Sequence, residues 1–299
     1  MEDKKKRNVQ MKVSEILKTD KVTISCEMFP PKMGTQLDNY KEIAAKMAAL
    51  KPSYLSCTYG ATGGTSDYTV EIADTINKCG VTSVAHLTCV SSTKEKVSSV
   101  IEELKAHNIE NILALRGDIP VDANFPLPNQ YHHAIELVQD IKAAGDFCIG
   151  GACYPEGHPE APTIEADLDF LKEKVDAGVD YLTTQLFYDN NTYYSFMYKA
   201  LKKGINVPVV PGIMPITRAT QIKKAGALSG NMIPQKFIRI VERFGDDPNA
   251  MKQAGIAYAT DQIIDLVANG VNHIHIYSMN KPDVLAAIFQ NLSDIYVRE

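Results

Sequence analysis

Several features that would assign a protein to a specialised class are missing from this chain of 299 residues. No apolar run approaches the length of a membrane-spanning helix, so we expect no membrane association. The basic run Lys4–Arg7 has no apolar segment behind it, so we also expect no signal peptide. Basic residues are not in excess: the formal net charge is -5, which predicts no nucleic-acid partner. We therefore expect a cytoplasmic protein of ordinary globular composition.

Cysteine pairs of the C-x-x-C type are also absent, although the chain contains 6 cysteines. Most of these cysteines lie in or at the end of apolar strand-like runs, which is typical of reduced core residues. None has the spacing of a zinc or iron–sulfur site. His273 and His275 lie two residues apart on a predicted strand and would point to the same side. Two such histidines could bind a metal ion, so a metal-dependent barrel hydrolase is an alternative class. Both histidines precede the strand end, however, and we interpret them as structural, with no metal site.

No G-x-G-x-x-G motif follows the first predicted strand, which disfavours a Rossmann domain. The chain has instead a repeat of roughly 30 residues, the length of a βαβ unit. Eight predicted strands alternate with helices, and a longer interval before the last strand leaves room for extra helices. This pattern predicts an α/β fold, a single-domain (β/α)8 TIM barrel over residues 21–299 after an N-terminal segment, 1–20, with a short helix. An open doubly wound sheet is the alternative.

Polar residues stand where the predicted strands end, and a barrel would gather them in one pocket. Glu27 has apolar neighbours, so we expect burial to raise its pKa and make it a general acid; a core carboxylate paired with lysine is the alternative. Asp118 would stay ionised beside Arg116. The strand-end residues are Glu27, Thr58, His86, Asp118, Tyr154, Gln185, Gly212 and Tyr277.

Two further stretches carry candidate ligand contacts. Gly117 would let a flat ligand approach the backbone closely. Tyr154 and His158 belong to a turn with two prolines, which could hold both side chains against a ligand. Asp167 and Lys174 lie seven residues apart on the next predicted helix and so share a face, for which a solvated helix surface is the alternative.

Eight stretches, in order along the chain, closely resemble the methylenetetrahydrofolate reductases. The resemblance implies a barrel that holds FAD and reduces 5,10-methylenetetrahydrofolate to 5-methyltetrahydrofolate in one-carbon metabolism. Glu27 would then be the general acid that protonates the folate, with reduced FAD as the hydride donor. We also expect a homo-oligomer or hetero-oligomer. The matching stretches are Cys26–Lys32, Thr58–Ala61, His86–Cys89, Leu113–Asp118, Tyr154–Ala161, Lys174–Gly178, Thr184–Gln185 and Pro211–Pro215.

The same resemblance implies roles for individual residues. Glu27 and Asp118 match catalytic positions, and Asp118 would tune both flavin and pterin. The folate would contact Asp118, Gln185, Gln221 and Lys281. The positions that match flavin contacts are Thr58, Tyr59, Ala61, His86, Leu115, Arg116, Gly117, Asp118, His133, Ala134, Tyr154, His158, Ala161, Asp167 and Lys174.

Three positions depart from the family pattern. His133 stands where a tyrosine is usual, and Lys281 stands where an arginine meets the folate tail, which predicts weaker folate binding because the bidentate fork is lost. Ala225 replaces a phenylalanine that stacks on the nicotinamide nucleotide in some members. The electron donor would then be NAD(P)H bound in another way, or a partner redox protein that serves a flavin-binding subunit. The chain also ends soon after its last predicted helix, so we expect no regulatory domain of the longer eukaryotic type.

Overall fold

The protein is described by a computed structural model for residues 10–31, 34–59, 68–90, 92–119, 125–222 and 232–296. The strands are β1 (Thr23–Met28), β2 (Tyr54–Cys57), β3 (Thr82–Thr88), β4 (Asn111–Leu115), β5 (Cys148–Cys153), β6 (Tyr181–Thr184), β7 (Val209–Val210), β8 (Gly212–Ile213) and β9 (His273–Ile276). The helices include α1 (Val13–Ile16), α2 (Leu37–Ala48), α3 (Thr69–Lys78), α4 (Lys94–Ala106), α5 (Ala134–Ala144), α6 (Ile164–Asp176), α7 (Asn190–Lys202), α8 (Gln235–Phe244), α9 (Pro248–Ala268) and α10 (Pro282–Asn291).

The strands form one parallel sheet in the order β7-β6-β5-β4-β3-β2-β1-β9-β8. Only Pro211 separates β7, which pairs with β6, from β8, which pairs with β9. These two pieces are therefore one interrupted strand that closes the sheet on itself. Pro211 has no N–H to give to the ladder, which explains the interruption, but its carbonyl accepts the His275 N–H at 2.9 Å. The predicted eight-stranded barrel is confirmed, and the open-sheet alternative is wrong.

Amphipathic helices cover the outside of the barrel, and α4 illustrates why they form. Its N-cap Thr93 accepts a hydrogen bond from the Lys96 N–H at 3.3 Å, which satisfies one of the free donors of the first turn. Val97, Ile101 and Leu104 follow at helical spacing and are buried. Burial of each such side chain stabilises the folded state by about 1.5–3 kcal/mol, because its apolar surface is removed from water.

Helix α1 packs against the N-terminal end of the barrel. Val13 and Leu17 belong to a buried cluster with Tyr54, Tyr181 and inner residues of β3, β4, β5 and β7. The fully buried Asn111 side chain joins this segment to β3: it accepts the Val13 N–H and donates to the Met11 carbonyl in the segment and to the Ser83 carbonyl on β3. In the part of the chain that the structure describes, this end of the barrel is thus filled with side chains.

The long interval before the last strand contains α8 and α9, as predicted, together with a helical segment at 219–222. Helix α9 approaches the loop after β8 very closely at Gly255, where a Cβ would collide with the carbonyl of Ile216. None of the helices in the described parts of the chain is long and apolar enough to span a membrane.

Candidate active site

The C-terminal ends of the strands open into a cavity of about 830 Å³. Seven of the eight strand-end residues line it: Glu27, Thr58, His86, Asp118, Tyr154, Gln185 and Tyr277. The eighth, Gly212, has a different function, because a Cβ there would overlap the Tyr277 ring. The absence of a side chain at this position therefore gives Tyr277 its place in the cavity wall.

The residues to which the family resemblance assigns flavin contacts also reach this cavity. Ala61 lies outside the described residues, as does Ala225. Gln185 and Gln221 line the cavity, whereas Lys281 lies beyond the lining and donates to the Thr217 hydroxyl at 2.6 Å. The flavin-contact candidates that line it are Thr58, Tyr59, His86, Leu115, Arg116, Gly117, Asp118, His133, Ala134, Tyr154, His158, Ala161, Asp167 and Lys174. Their individual roles stay predictions.

Glu27 lies at the end of β1 with its side chain only 13% exposed. Burial raises the pKa of Glu27 to about 8, so its carboxyl carries a proton at neutral pH. Its Oε2 lies 3.7 Å from His86 Nε2, but this is not an ion pair. Burial and the neighbouring His275 lower the pKa of His86 to about 3, so both groups are neutral at pH 7. Among the described residues, no lysine forms an ion pair with Glu27, which favours the general acid over the lysine-paired alternative.

The backbone around Glu27 is fixed by the loop that follows β9. The Asn280 side chain accepts the Phe29 N–H at 2.8 Å and donates to the Phe29 carbonyl at 3.0 Å. The Ser278 hydroxyl donates to the Glu27 carbonyl at 3.2 Å. These contacts join the first and last strands of the barrel at the height of the acid, and they hold its side chain toward the cavity.

The opposite wall carries the cations. Arg116, which follows β4, makes two hydrogen bonds of 2.5 and 2.7 Å to the Glu160 carboxylate. Asp118 lies near this guanidinium, as expected, and helps to raise the pKa of Arg116 after Glu160 and Tyr154. The hydrogen bonds of Arg116, however, go to Glu160, which the sequence did not single out. Lys174, on α6, donates to the Ala152 carbonyl at 2.5 Å, and burial lowers the pKa of Lys174. A partly buried cation with a carbonyl as its acceptor is suited to an anionic ligand.

The turn after β5 brings Tyr154 and His158 together. The rings of Tyr154 and His158 meet edge to face with their centroids 4.6 Å apart. His158 Nδ1 accepts the backbone N–H of Glu160 at 3.1 Å. The backbone N–H of His158 donates to the Asp167 carboxylate, also at 3.1 Å. With Nδ1 acting as an acceptor, the proton of the neutral ring is on Nε2, which can donate to a ligand.

The two histidines of the last strand pair with hydroxyl groups on β1. His273 Nδ1 lies 2.9 Å from Thr23 Oγ1, and His275 Nδ1 lies 2.8 Å from Ser25 Oγ. Of the two, only His275 reaches the cavity wall. The described part of the chain contains no group of three or more His, Cys, Asp or Glu side chains placed to hold a metal ion. This arrangement is the one that structural histidines would have.

Sequence reasoning missed the floor and the rim of the cavity. Tyr54, Ser56 and Tyr181 line the floor, and Phe170, which is 60% exposed, lines the rim. The floor could have been found from the period of two along a strand, since Tyr54 and Ser56 share the face of Thr58. The Ser56 hydroxyl and His86 Nε2 are buried without a hydrogen-bond partner among the described residues, so they are free to bind a ligand or water.

Comparison with known proteins agrees with this geometry. Residues 12–293 match the family model of methylenetetrahydrofolate reductase. The 5,10-methylenetetrahydrofolate reductases of Pectobacterium carotovorum subsp. carotovorum and Escherichia coli (strain K12) are each 34% identical over 91% of this chain and 90% of their own length. Methylenetetrahydrofolate reductase (NADH) 1 of Zea mays is 36% identical over 94% of this chain and 50% of the plant protein.

A solved structure shares the fold at low sequence identity. It is an uncharacterised protein from Clostridium thermocellum, described as binding two copies of 5-methyl-5,6,7,8-tetrahydrofolic acid. It superposes with a TM-score of 0.65 at 15% identity, over 95% of this chain and 99% of its own. With the family model matching nearly the whole chain, and relatives above 30% identity covering most of it, the chain belongs to the methylenetetrahydrofolate reductase family.

Proposed function

We propose that this protein reduces 5,10-methylenetetrahydrofolate to 5-methyltetrahydrofolate and holds FAD for that reaction. One observation carries the proposal: Glu27, buried and protonated at neutral pH, lines the same cavity as the cations Arg116 and Lys174. An acid on one wall and an anion site on another are what protonation of a folate beside a diphosphate-bearing cofactor requires. Family membership agrees with this reading.

The donor groups of the cavity fit FAD. Arg116 and Lys174 would hold its diphosphate, because both are cations whose present partners leave donors free. Gly117 has a φ of +84°, a conformation that a side chain would strain, and its bare Cα leaves the backbone accessible to a flat ring. The orphaned His86 Nε2 supplies a further polar contact in the wall. When bound, FAD would supply the hydride that the methylene carbon receives.

The contribution of the chain itself is protonation and positioning. Glu27 would donate its proton to the folate nitrogen as the carbon–nitrogen bond of the five-membered ring breaks, which leaves an iminium carbon able to accept hydride. The proton remains on the nitrogen of the product, and Glu27 is left as a buried carboxylate. Since burial disfavours that charge, the carboxylate would recover a proton from solvent before the next turnover. Gln185 and Asp118 line the cavity where they could orient the pterin.

A reductive half-reaction tests the proposal without any knowledge of the electron donor. Purified protein should bind FAD and turn yellow, and 5-methyltetrahydrofolate should bleach that flavin under anaerobic conditions. Glu27→Gln should retain FAD but lose the bleaching, since an amide cannot exchange the proton. Glu165→Gln, an exposed carboxylate on α6, is the matched control and should behave as wild type. A colourless protein that fails to bind added FAD would refute the proposal.

The electron donor belongs to the same proposal. Because Ala225 removes an aromatic platform for the nicotinamide, we propose that NAD(P)H binds differently from the family pattern, or that a partner redox protein delivers the electrons. NADH and NADPH, each as sole donor to the FAD-loaded protein, separate these cases. Rapid flavin reduction by either nucleotide would remove the need for a partner.

A further inference from the structure

Two polar side chains, Ser56 and His86, lie beside Glu27 in the cavity wall. Ser56 is the register partner of Glu27 on the neighbouring strand β2, so both side chains leave the sheet on the same face. His86, on β3, brings its Nε2 to 3.7 Å from Glu27 Oε2, which is too long for a direct hydrogen bond. A small polar molecule that lies between these groups could bind all three of them.

Burial makes the missing partners of Ser56 and His86 informative. Both residues are buried, and within the described ranges neither the Ser56 hydroxyl nor His86 Nε2 has a hydrogen-bond partner. Buried polar atoms of this kind are typically satisfied by an ordered water, which makes roughly three hydrogen bonds. A hydroxyl, a neutral imidazole and a carboxyl supply three such partners. Since burial also disfavours a bare ion here, these groups favour a water molecule as the occupant.

Two further titratable groups interact with Glu27, but their protons are directed elsewhere. The Tyr277 hydroxyl, which follows β9, donates to the Thr184 carbonyl at 2.6 Å. The Cys57 thiol, on β2, donates to the Thr58 carbonyl at 3.9 Å. Burial, and then the charge of Glu27, raise the pKa of both groups, so both stay neutral. A donor for the Glu27 carboxylate must therefore come from the side of Ser56.

We propose that one water molecule, held by Ser56 and His86, donates a hydrogen bond to Glu27 as its carboxyl becomes a carboxylate. Ser56 is then a positioning residue for the proposed function, on which this inference rests. The proton passes from Glu27 to the folate nitrogen, and the water keeps both of its hydrogens. A hydrogen bond to a charged acceptor is stronger than one to a neutral acceptor, so the water stabilises the carboxylate more than the acid.

The return of the flavin colour measures proton donation by Glu27. FAD-loaded protein is reduced with light, mixed anaerobically with 5,10-methylenetetrahydrofolate, and followed from about pH 6 to about pH 10. The rate should fall as Glu27 ionises, because only its protonated form can donate. Ser56→Ala should lower the rate at about pH 6 by up to about tenfold and raise the midpoint of the fall by about one pH unit, because a hydrogen bond to the carboxylate is lost. Ser56→Thr keeps a hydroxyl and should recover part of both.

Ser83→Ala is the matched control, because Ser83 is another buried serine whose hydroxyl has no partner in the described part of the chain. Ser83 lies on β3 next to Val84, which lines the cavity, so the Ser83 side chain points away from the cavity. This variant should keep both the rate and the midpoint of wild type. The affinity for FAD should be the same in wild type, Ser83→Ala and Ser56→Ala.

A crystal structure of the FAD-loaded protein tests the water itself. Wild type should show a water within hydrogen-bond distance of Ser56 Oγ, His86 Nε2 and the Glu27 carboxyl, and Ser56→Ala should lose it. A wild-type structure without this water would overturn the inference and leave the proposed function intact. So would a Ser56→Ala rate that is unchanged, or one that is slower with an unmoved midpoint. If wild type does not regain its colour with 5,10-methylenetetrahydrofolate, the proposed function itself fails.

Discussion

Glu27 should make the folded protein less stable as the pH rises, and this loss should vanish in Glu27→Gln. The unfolded carboxyl has a pKa of 4.5, whereas burial raises the pKa of the folded one to about 8. Below pH 4.5 both states are protonated, and the group adds no pH dependence. Between the two pKa values the unfolded state releases a proton that the folded state keeps, so the free energy of unfolding falls with pH. Above about pH 8 both states are ionised and the loss is complete.

The two pKa values set the magnitude of this loss. One pH unit between them is worth about 1.4 kcal/mol, so the full interval costs up to about 5 kcal/mol. The side chain is 13% exposed, so water can relax part of the penalty, and a loss of several kcal/mol is the expected result. An exposed carboxylate would cause no such change in the free energy of unfolding. The change expected for Glu27 is also larger than the effect of an ordinary surface substitution, so it can be measured.

Urea unfolding of the cofactor-free protein from pH 5 to pH 9 measures the effect, since bound FAD would add its own linkage. The quantity of interest is the unfolding free energy of Glu27→Gln minus that of wild type, because other titrating groups cancel in it. This difference should grow by several kcal/mol from pH 5 to pH 9, whereas the same difference for Glu165→Gln should stay flat. A difference for Glu27→Gln that is constant or shrinks over this range would refute the reasoning.

Three further predictions concern stability. Gly255→Ala should destabilise the fold by more than about 2 kcal/mol in urea unfolding, because the added Cβ would overlap the backbone carbonyl of Ile216. Gly145→Ala is the control: the backbone there is extended and an added Cβ would make only ordinary contacts, so its effect on stability should be nearly neutral. Asn111→Ala should cost about 2–3 kcal/mol and speed proteolysis before β1, because it removes two hydrogen bonds to the segment that contains α1 and a third to β3. Glu160→Gln should lower stability by less than about 1 kcal/mol in thermal unfolding, because the Glu160 side chain is 59% exposed and solvent screens its pair with Arg116.

The fold could be predicted from the sequence because the signal repeats. Buried parallel strands and amphipathic helices alternate at a nearly constant interval, and each repeat supports the others. The closure of the barrel was harder to predict. The sequence predicts that this strand ends at Gly212, but pairing continues through Gly212–Ile213 on the other neighbour. Two pieces of two residues each are too short for any pattern to indicate, and only the partner strands define them.

The pKa of Glu27 was predicted in the right direction but for an incomplete reason. The sequence argument relied on Met28 and Phe29 as apolar neighbours, yet successive side chains of a strand point to opposite faces. The groups that actually surround Glu27 come from other strands, among them His86 and Ser56, its register partner on β2. Glu160 was missed for a related reason: it lies on an exposed turn, and only the folded chain brings it to Arg116.

The proposed reaction places two conflicting electrostatic requirements on the cavity: cations for a diphosphate and a protonated carboxyl at Glu27. A diphosphate needs cations, but a cation beside Glu27 would stabilise its carboxylate and lower its pKa, which would remove the proton that the folate needs. The order of the strands separates the two requirements, since β1 carries the acid and Arg116 follows β4, three strands away in the sheet. His86 Nε2 lies 3.7 Å from the Glu27 carboxyl, and burial keeps His86 uncharged at neutral pH. The acid therefore stays protonated because this titratable neighbour is neutral and Arg116 follows a strand that is not adjacent to β1.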